Sequence, residues 1–152
     1  MSQSAADTYL RTKVLTATPE QLQMMLFDGA LRFAEQGKKF IDEKNFEKSH
    51  EALSRAQKIV MELNCGLKRS VSPELCDRLS SLYLFVHRRL IEANTRHEVA
   101  LLDEALSILH YQRETWAMLM QKLAAGKAAK AAMRIDMPGP DARMEASIRL
   151  SA

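Results

Sequence analysis

Thr18-Pro19-Glu20-Gln21 spells out a helix N-terminus. A threonine hydroxyl there accepts from the third helical amide, a proline loses nothing at the first helical position, and a glutamine side chain reaches back to the cap. What constrains the fold is that such punctuation recurs with very little chain between the segments it separates. The first helix is predicted to run from Pro19 to about Lys44, where Asn45 caps a second over Phe46 to about Cys65 that Gly66 ends. Ser72 and Pro73 open a third in the same way. Thr95 with Glu98 reads as another capping box, so the third helix is predicted to stop near Asn94 and the fourth to run to Gly126. Connections this short make sequential helices antiparallel neighbours. The predicted fold is therefore all-α, an antiparallel up-and-down four-helix bundle over residues 18–126. Residues 1–17 are read as a short N-terminal arm or helix. Residues 127–152, an Ala/Lys stretch followed by Met137-Pro138-Gly139-Pro140-Asp141, are read as a flexible tail.

Heptad spacing assigns the core. The first helix contributes Leu22, Leu26, Gly29, Phe33 and Phe40, with Gly29 read as a point of close helix approach, and the second Leu53, Ala56, Val60 and Leu63. The third contributes Leu75, Leu79, Leu82, Val86, Leu90 and Ala93, and the fourth Val99, Leu102, Leu106, Leu109, Trp116, Met120 and Leu123. At 100° per residue a second apolar stripe remains on three helices: Met24, Phe27 and Leu31; Leu84 and Ile91; Leu101, Ile108 and Leu119. Single exposed apolar residues are ordinary, but a set of this kind exceeds what a soluble monomer leaves uncovered and marks a partner-binding surface. Inter-helix grooves are where amphipathic helices dock, and Met24, Met25, Met61, Met118 and Met120 would give them adaptable walls. Tyr9, Leu10 and Val14 join the candidate surface as apolar residues of the arm.

Charge and composition exclude other classes. At 152 residues, 47% hydrophobic and 27% charged, the chain suits one folded domain. No apolar run approaches the 18 or so residues that span a bilayer, so no membrane insertion is expected. The opening residues lack the basic and apolar regions of a secretory signal, which predicts a cytoplasmic location. Net charge is +3, and residues past Gly126 hold five bases against three acids, leaving +1 for the rest. A body so near neutrality argues against nucleic-acid binding. Cys65 and Cys76 have neither metal nor redox spacing and are read as reduced core thiols. Glu47 and His50 form one Glu-x-x-His pair where a carboxylate-bridged di-iron bundle needs two, so no metal, cofactor or catalytic residue is assigned and no enzymatic activity is expected.

Residues 9–33, YLRTKVLTATPEQLQMMLFDGALRF, resemble the opening of the FliS-type flagellar secretion chaperones in their tyrosine, their T-A-(S/T)-P-E step and their M-L-(Y/F)-D-G core. LYLFVHRRLIEAN, then LLDEALSIL and RETW, resemble the family's third and fourth helices, and the likeness extends over roughly residues 9–124. Phe27 and His87 stand where the family more often has tyrosine. The resemblance implies a four-helix bundle that binds the C-terminal segment of flagellin, keeps it from polymerising in the cytoplasm and delivers it to the flagellar type III export gate. The residues alone leave open a self-associating helical structural protein whose second stripes are filled by another copy.

Overall fold

Thr18 makes the reciprocal cap that its neighbours call for: Gln21 N–H donates to Thr18 Oγ1 at 3.1 Å, and Thr18 N–H donates to Gln21 Oε1 at 3.0 Å. The computed structural model describes residues 2–67 and 72–136. Within them the chain forms α1 (Ser2–Thr16), α2 (Pro19–Asp42), α3 (Phe46–Cys65), α4 (Pro73–Arg96) and α5 (Val99–Asp136). Asn45 Oδ1 accepts from Lys48 N–H at 3.3 Å to start α3, and Ser72 Oγ accepts from Leu75 N–H at 3.4 Å to start α4. No described helix is long and apolar enough to cross a membrane.

Two boundaries differ from expectation. Thr95 is not a cap: its hydroxyl donates to Ile91 O at 3.0 Å inside the last turn of α4. The helix ends instead at Arg96, with His97 as a left-handed C-cap at φ 55°. That conformation is costly for a residue with a Cβ, and here the His97 ring stacks on Phe46 with centroids 3.9 Å apart. The second correction is at Gly126, which does not end α5. Its φ is not positive, and the helix continues through alanine-rich sequence to Asp136, so residues 127–136 are helical rather than a flexible tail. The remainder of that predicted tail, 137–152, lies outside the described residues.

The described chain divides after Trp116 into two compact units. In the first, α2, α3, α4 and the start of α5 form the expected four-helix bundle. Asn94 Nδ2 meets His50 Nδ1 at 2.9 Å, which sets α4 antiparallel to α3. Three polar contacts run α5 antiparallel along α2: Lys38 Nζ to Asp103 Oδ1 at 2.8 Å, His110 Nε2 to Glu35 Oε1 at 3.3 Å, and Arg113 Nε to Asp28 Oδ1 at 2.6 Å. The hydrogen bond to Asp103, then its charge, pushes the Lys38 pKa above its usual 10.5. Trp116 Nε1–H extends the ladder by donating to Glu20 O at 3.1 Å.

The core is rotated from the predicted one on two helices. On α2 the buried arc is Phe27, Ala30, Leu31, Ala34, Gly37 and Ile41, while Leu26 and Phe33 pack against it half-buried. Alanines and a glycine occupy the inward positions because α2 and α3 approach closely there, and small residues are what permits close approach. The heptad stripe through Leu22, Leu26, Gly29, Phe33 and Phe40 therefore lands on the flank. The tightest point is Gly37, where a Cβ would sit 2.5 Å from Leu53 Cδ2; at Gly29 it would meet Ile59 Cδ1 at 3.3 Å. On α4, Cys76 and Tyr83 point inward with Val86, Leu90 and Ala93, leaving Leu75 and Leu82 exposed at 54% and 40%. The assignments on α3 hold, as do Leu102, Leu106 and Leu109 on α5. Leu123 is exposed, and Cys65, read as a core thiol, is exposed as well.

Two measurements check this packing. Gly37→Ala gains about 1 kcal/mol of helix propensity but overpacks against the fully buried Leu53, typically a loss of 1–3 kcal/mol, so denaturant unfolding registers net destabilisation. Gly29→Ala meets only the end of half-buried Ile59 and is neutral or stabilising by up to about 1 kcal/mol. Burial also pushes the Tyr83 hydroxyl up to about 12. Above its ordinary value of about 10 the unfolded chain releases a proton that the folded chain keeps, so stability falls with rising pH until the folded group titrates. Wild type then loses roughly 2 kcal/mol more than Tyr83→Phe across that window, read from unfolding curves alongside phenolate absorbance.

Candidate partner-binding surfaces

The sequence-selected surface residues fall into four groups once α2 to α5 are in place. Phe27 and Leu31 are corrected outright: at 2% and 6% exposure they belong to the core, drawn inward by the same rotation of α2 that brings Ala30 and Ala34 to the centre. Met24, on the same helix, is half-buried.

Leu84 and Ile91 are exposed at 44% and 41%. They stand seven residues apart on one side of α4, with His87 between them at helical spacing. His87 lines an open groove of about 480 Å³ between α3 and α4, together with Ser54, Gln57, Lys58, Met61 and Glu62. This groove has a methionine wall and a polar rim.

Leu101 and Ile108, also seven residues apart, lie on the side of α5 that faces α4 and pack half-buried against the core. Ile108 lines a second open groove, of about 510 Å³, with Phe85, Ala100, Asp103, Glu104 and Ser107. Arg89 closes one edge. Its guanidinium carbon lies 4.9 Å from the Phe85 ring centroid, and Nη1 donates to Glu92 Oε2 at 2.8 Å. Nε lies 2.8 Å from Glu104 Oε2 but makes no formed hydrogen bond, so that contact is one of charge alone. Close backbone approaches concentrate between α2 and α3 and between α3 and α4, whereas α5 is held by side chains, and the wider spacing leaves room beside Ile108.

Tyr9, Leu10 and Val14 are exposed on α1 at 68%, 49% and 43%, so α1 does not bury them in a groove here. Leu119, exposed at 44%, belongs to the unit that begins at Ala117. The sequence-selected residues thus divide between two grooves flanking α4 and, separate from them in the chain, α1 and Leu119.

Sequence reasoning missed Phe85, whose signal was its position four residues before Arg89 and off the core stripe. It also placed Phe33 and Phe40 in the core, where the structure has them lining a smaller cleft of about 190 Å³ between α2 and α3 with Lys48 and Arg55. The guanidiniums of Arg32 and Arg55 lie 5.0 and 5.5 Å from the Phe33 centroid, and Lys48 Nζ 5.7 Å from that of Phe40, so cations screen these rings from water. His50, considered as half of a metal pair with Glu47, is engaged by Asn94 instead. Among the described residues no three His, Cys, Asp or Glu side chains converge as a metal site.

Comparison with known proteins gives these grooves a context. The profile of the family described as Flagellar protein FliS matches residues 1–123. The chain is 32% identical over 119 residues to the flagellar secretion chaperone FliS of Bacillus subtilis (strain 168), a match covering 78% of this chain and 88% of the relative. It is 32% identical over 118 residues to the flagellar secretion chaperone FliS of Salmonella typhimurium (strain LT2), covering 77% and 87% respectively. A crystal structure of a flagellar chaperone from bacteria superposes with a TM-score of 0.64, covering 80% of this chain and 99% of the other at 16% identity, a likeness of fold. With the profile matched through Leu123 and the relatives matched over most of their own length, the chain belongs to the FliS family of flagellar secretion chaperones.

Proposed function

We propose that this protein binds the C-terminal segment of flagellin in the two grooves flanking α4, holds it from premature polymerisation in the cytoplasm, and delivers it to the flagellar type III export gate. The observation that carries this reading is the pairing of apolar stripes with open grooves: Ile108 lines one groove with Leu101 two turns before it on the same side of α5, and Leu84 and Ile91 flank His87, which lines the other. Apolar residues seven apart on adjoining helices suit an amphipathic helix laid between them. Met24, Leu119 and the α1 residues Tyr9, Leu10 and Val14 are assigned to the same cargo as outlying contacts, and no catalytic step is involved.

The cargo surface is separable from the core. Ile108→Asp or Leu84→Asp places a charge that blocks desolvation of a groove, and is expected to abolish binding of a flagellin C-terminal peptide while circular dichroism remains helical. Leu106→Asp, at 7% exposure, puts the charge inside the bundle and is expected to unfold it. Equal loss of helix in both classes would show that the stripes are one core.

Binding is also expected to show a negative heat-capacity change, a gain of helix in the mixture and little dependence on salt, because apolar burial dominates it. Calorimetry at low and high salt with wild-type protein checks this. A tenfold weakening at high salt without new helix would move the site to charged residues. Stable homodimers in light scattering that fail to take up peptide would favour self-association.

A further inference from the structure

From Thr115 to Ile135 the sequence holds four cations, Lys122, Lys127, Lys130 and Arg134, and no acid. The whole chain is net +3, so this stretch of +4 leaves the rest at −1. Net positive charge is therefore concentrated in one helical segment, the second half of α5. Every described side chain from Gln121 to Met133 is exposed. The family profile ends at residue 123, so most of this segment lies outside the part of the chain matched to the family.

The cations are not spread evenly around the helix. At 100° per residue, Leu119, Leu123, Lys130 and Met133 share one face with Lys122 and Lys127 at its margins, while Ala124, Ala125, Ala128, Ala131 and Ala132 fill the opposite side. Leu119, Leu123 and Met133 are 44%, 47% and 66% exposed. An apolar strip with lysines at its margins, and with Lys130 inside it able to extend its stem outward, matches a surface that presents anionic groups directly above an apolar phase. An acidic peptide or a nucleic acid would pair the cations but give the leucines and the methionine no comparable phase to enter. No described helix is long and apolar enough to cross a bilayer, which limits the association to the interface.

We propose that residues 117–136 of α5 form a peripheral membrane-binding helix that recognises anionic phospholipid. Lys122, Lys127 and Lys130 meet the headgroups, and Leu123 and Met133 enter the acyl boundary. This function is distinct from cargo binding at Leu84, Ile91, Leu101 and Ile108 and stands whether or not those grooves hold flagellin.

Vesicle flotation of the full chain tests it, using phosphatidylcholine vesicles with and without about one-third phosphatidylglycerol. Wild type is expected to float with the anionic vesicles only and to be released as salt rises to about 0.5 M. Glutamine matches lysine in helix propensity, so the triple variant Lys122→Gln/Lys127→Gln/Lys130→Gln keeps α5 helical by circular dichroism. At about fivefold per cation it is expected to lose on the order of a hundredfold in affinity. Leu123→Ser/Met133→Ser weakens vesicle binding with the charge intact. Absence of flotation with anionic vesicles, or equal flotation of the triple variant, overturns the proposal. So does binding of polyglutamate or an RNA oligonucleotide as tightly as vesicles with no effect of Leu123→Ser/Met133→Ser, which would make the segment a general polyanion site.

Discussion

The close approach of α2 to α3 decides where everything else in the bundle lies. Ala30, Ala34 and Gly37 face Leu53 and Ala56 across a seam in which even one added methyl group at Gly37 would press on Leu53. Such a seam uses small residues as its inner surface. Phe27, Leu31 and Ile41 stay within the buried arc, while Leu26, Phe33 and Phe40 are carried to the flank, where Leu26 and Phe33 pack half-buried against the core. The cleft beside Phe33 and Phe40 is a direct consequence, and so is the screening of those rings by Arg32, Arg55 and Lys48. A planar guanidinium or an ammonium laid on an exposed aromatic face limits water contact while keeping its own charge hydrated.

The opposite side of the bundle is assembled differently. Its α5 carries Leu102, Leu106 and Leu109 into the core but is aligned on α2 by the polar contacts at Lys38, Glu35 and Asp28 and on α4 by Arg89. Exposed ion pairs of this kind stabilise little, typically under 1 kcal/mol each, so their effect here is to fix register rather than to add strength. The core on this side also buries Gln112 at 8% exposure with neither side-chain oxygen nor nitrogen paired among the described residues. The groove of Ile108 and Phe85 lies where the helix spacing is wider, whereas the groove at His87 and Met61 lies over the closer pairing of α3 with α4 and is opened by side-chain shape alone.

Helix starts were legible because capping is local chemistry: Thr18, Asn45 and Ser72 each accept the hydrogen bond that their sequence context calls for. Topology followed from the short turns. What was not legible was the rotation of α2 and α4, since periodicity reports a stripe but not which residues of a broad apolar arc face inward. A heptad stripe started at Leu22 put Leu22, Leu26, Phe33 and Phe40 ahead of Phe27, Ala30, Leu31 and Ala34, and so assigned Phe27 and Leu31 to the surface. On α4 the stripe started at Leu75 likewise passed over Cys76 and Tyr83 for Leu75 and Leu82. Thr95 looked like a cap because Glu98 follows it at the right distance, yet a threonine in a last turn bonds backward to its own helix equally well. On the candidate surface, Leu84 and Ile91 were readable as outward residues; that Ile108 joins Phe85 was not, because it depends on the spacing of α4 from α5.

The half-buried state of the groove residues sets the kind of partner the surface suits. Leu101 and Ile108 already pack against the core, and Leu84 and Ile91 are less than half exposed, so each has only part of its area left to bury. Full burial of such a side chain is worth roughly 1.5–3 kcal/mol, and the remaining share at each position is on the order of 1 kcal/mol. A disordered segment that folds on binding loses about 2–5 kcal/mol or more to its own ordering. Two such sites in one groove make about 2 kcal/mol and four in both make about 4 kcal/mol, which no more than matches the ordering loss. Useful affinity therefore also needs the apolar area that the partner itself buries, and a partner that spans both sides of α4 buries the most.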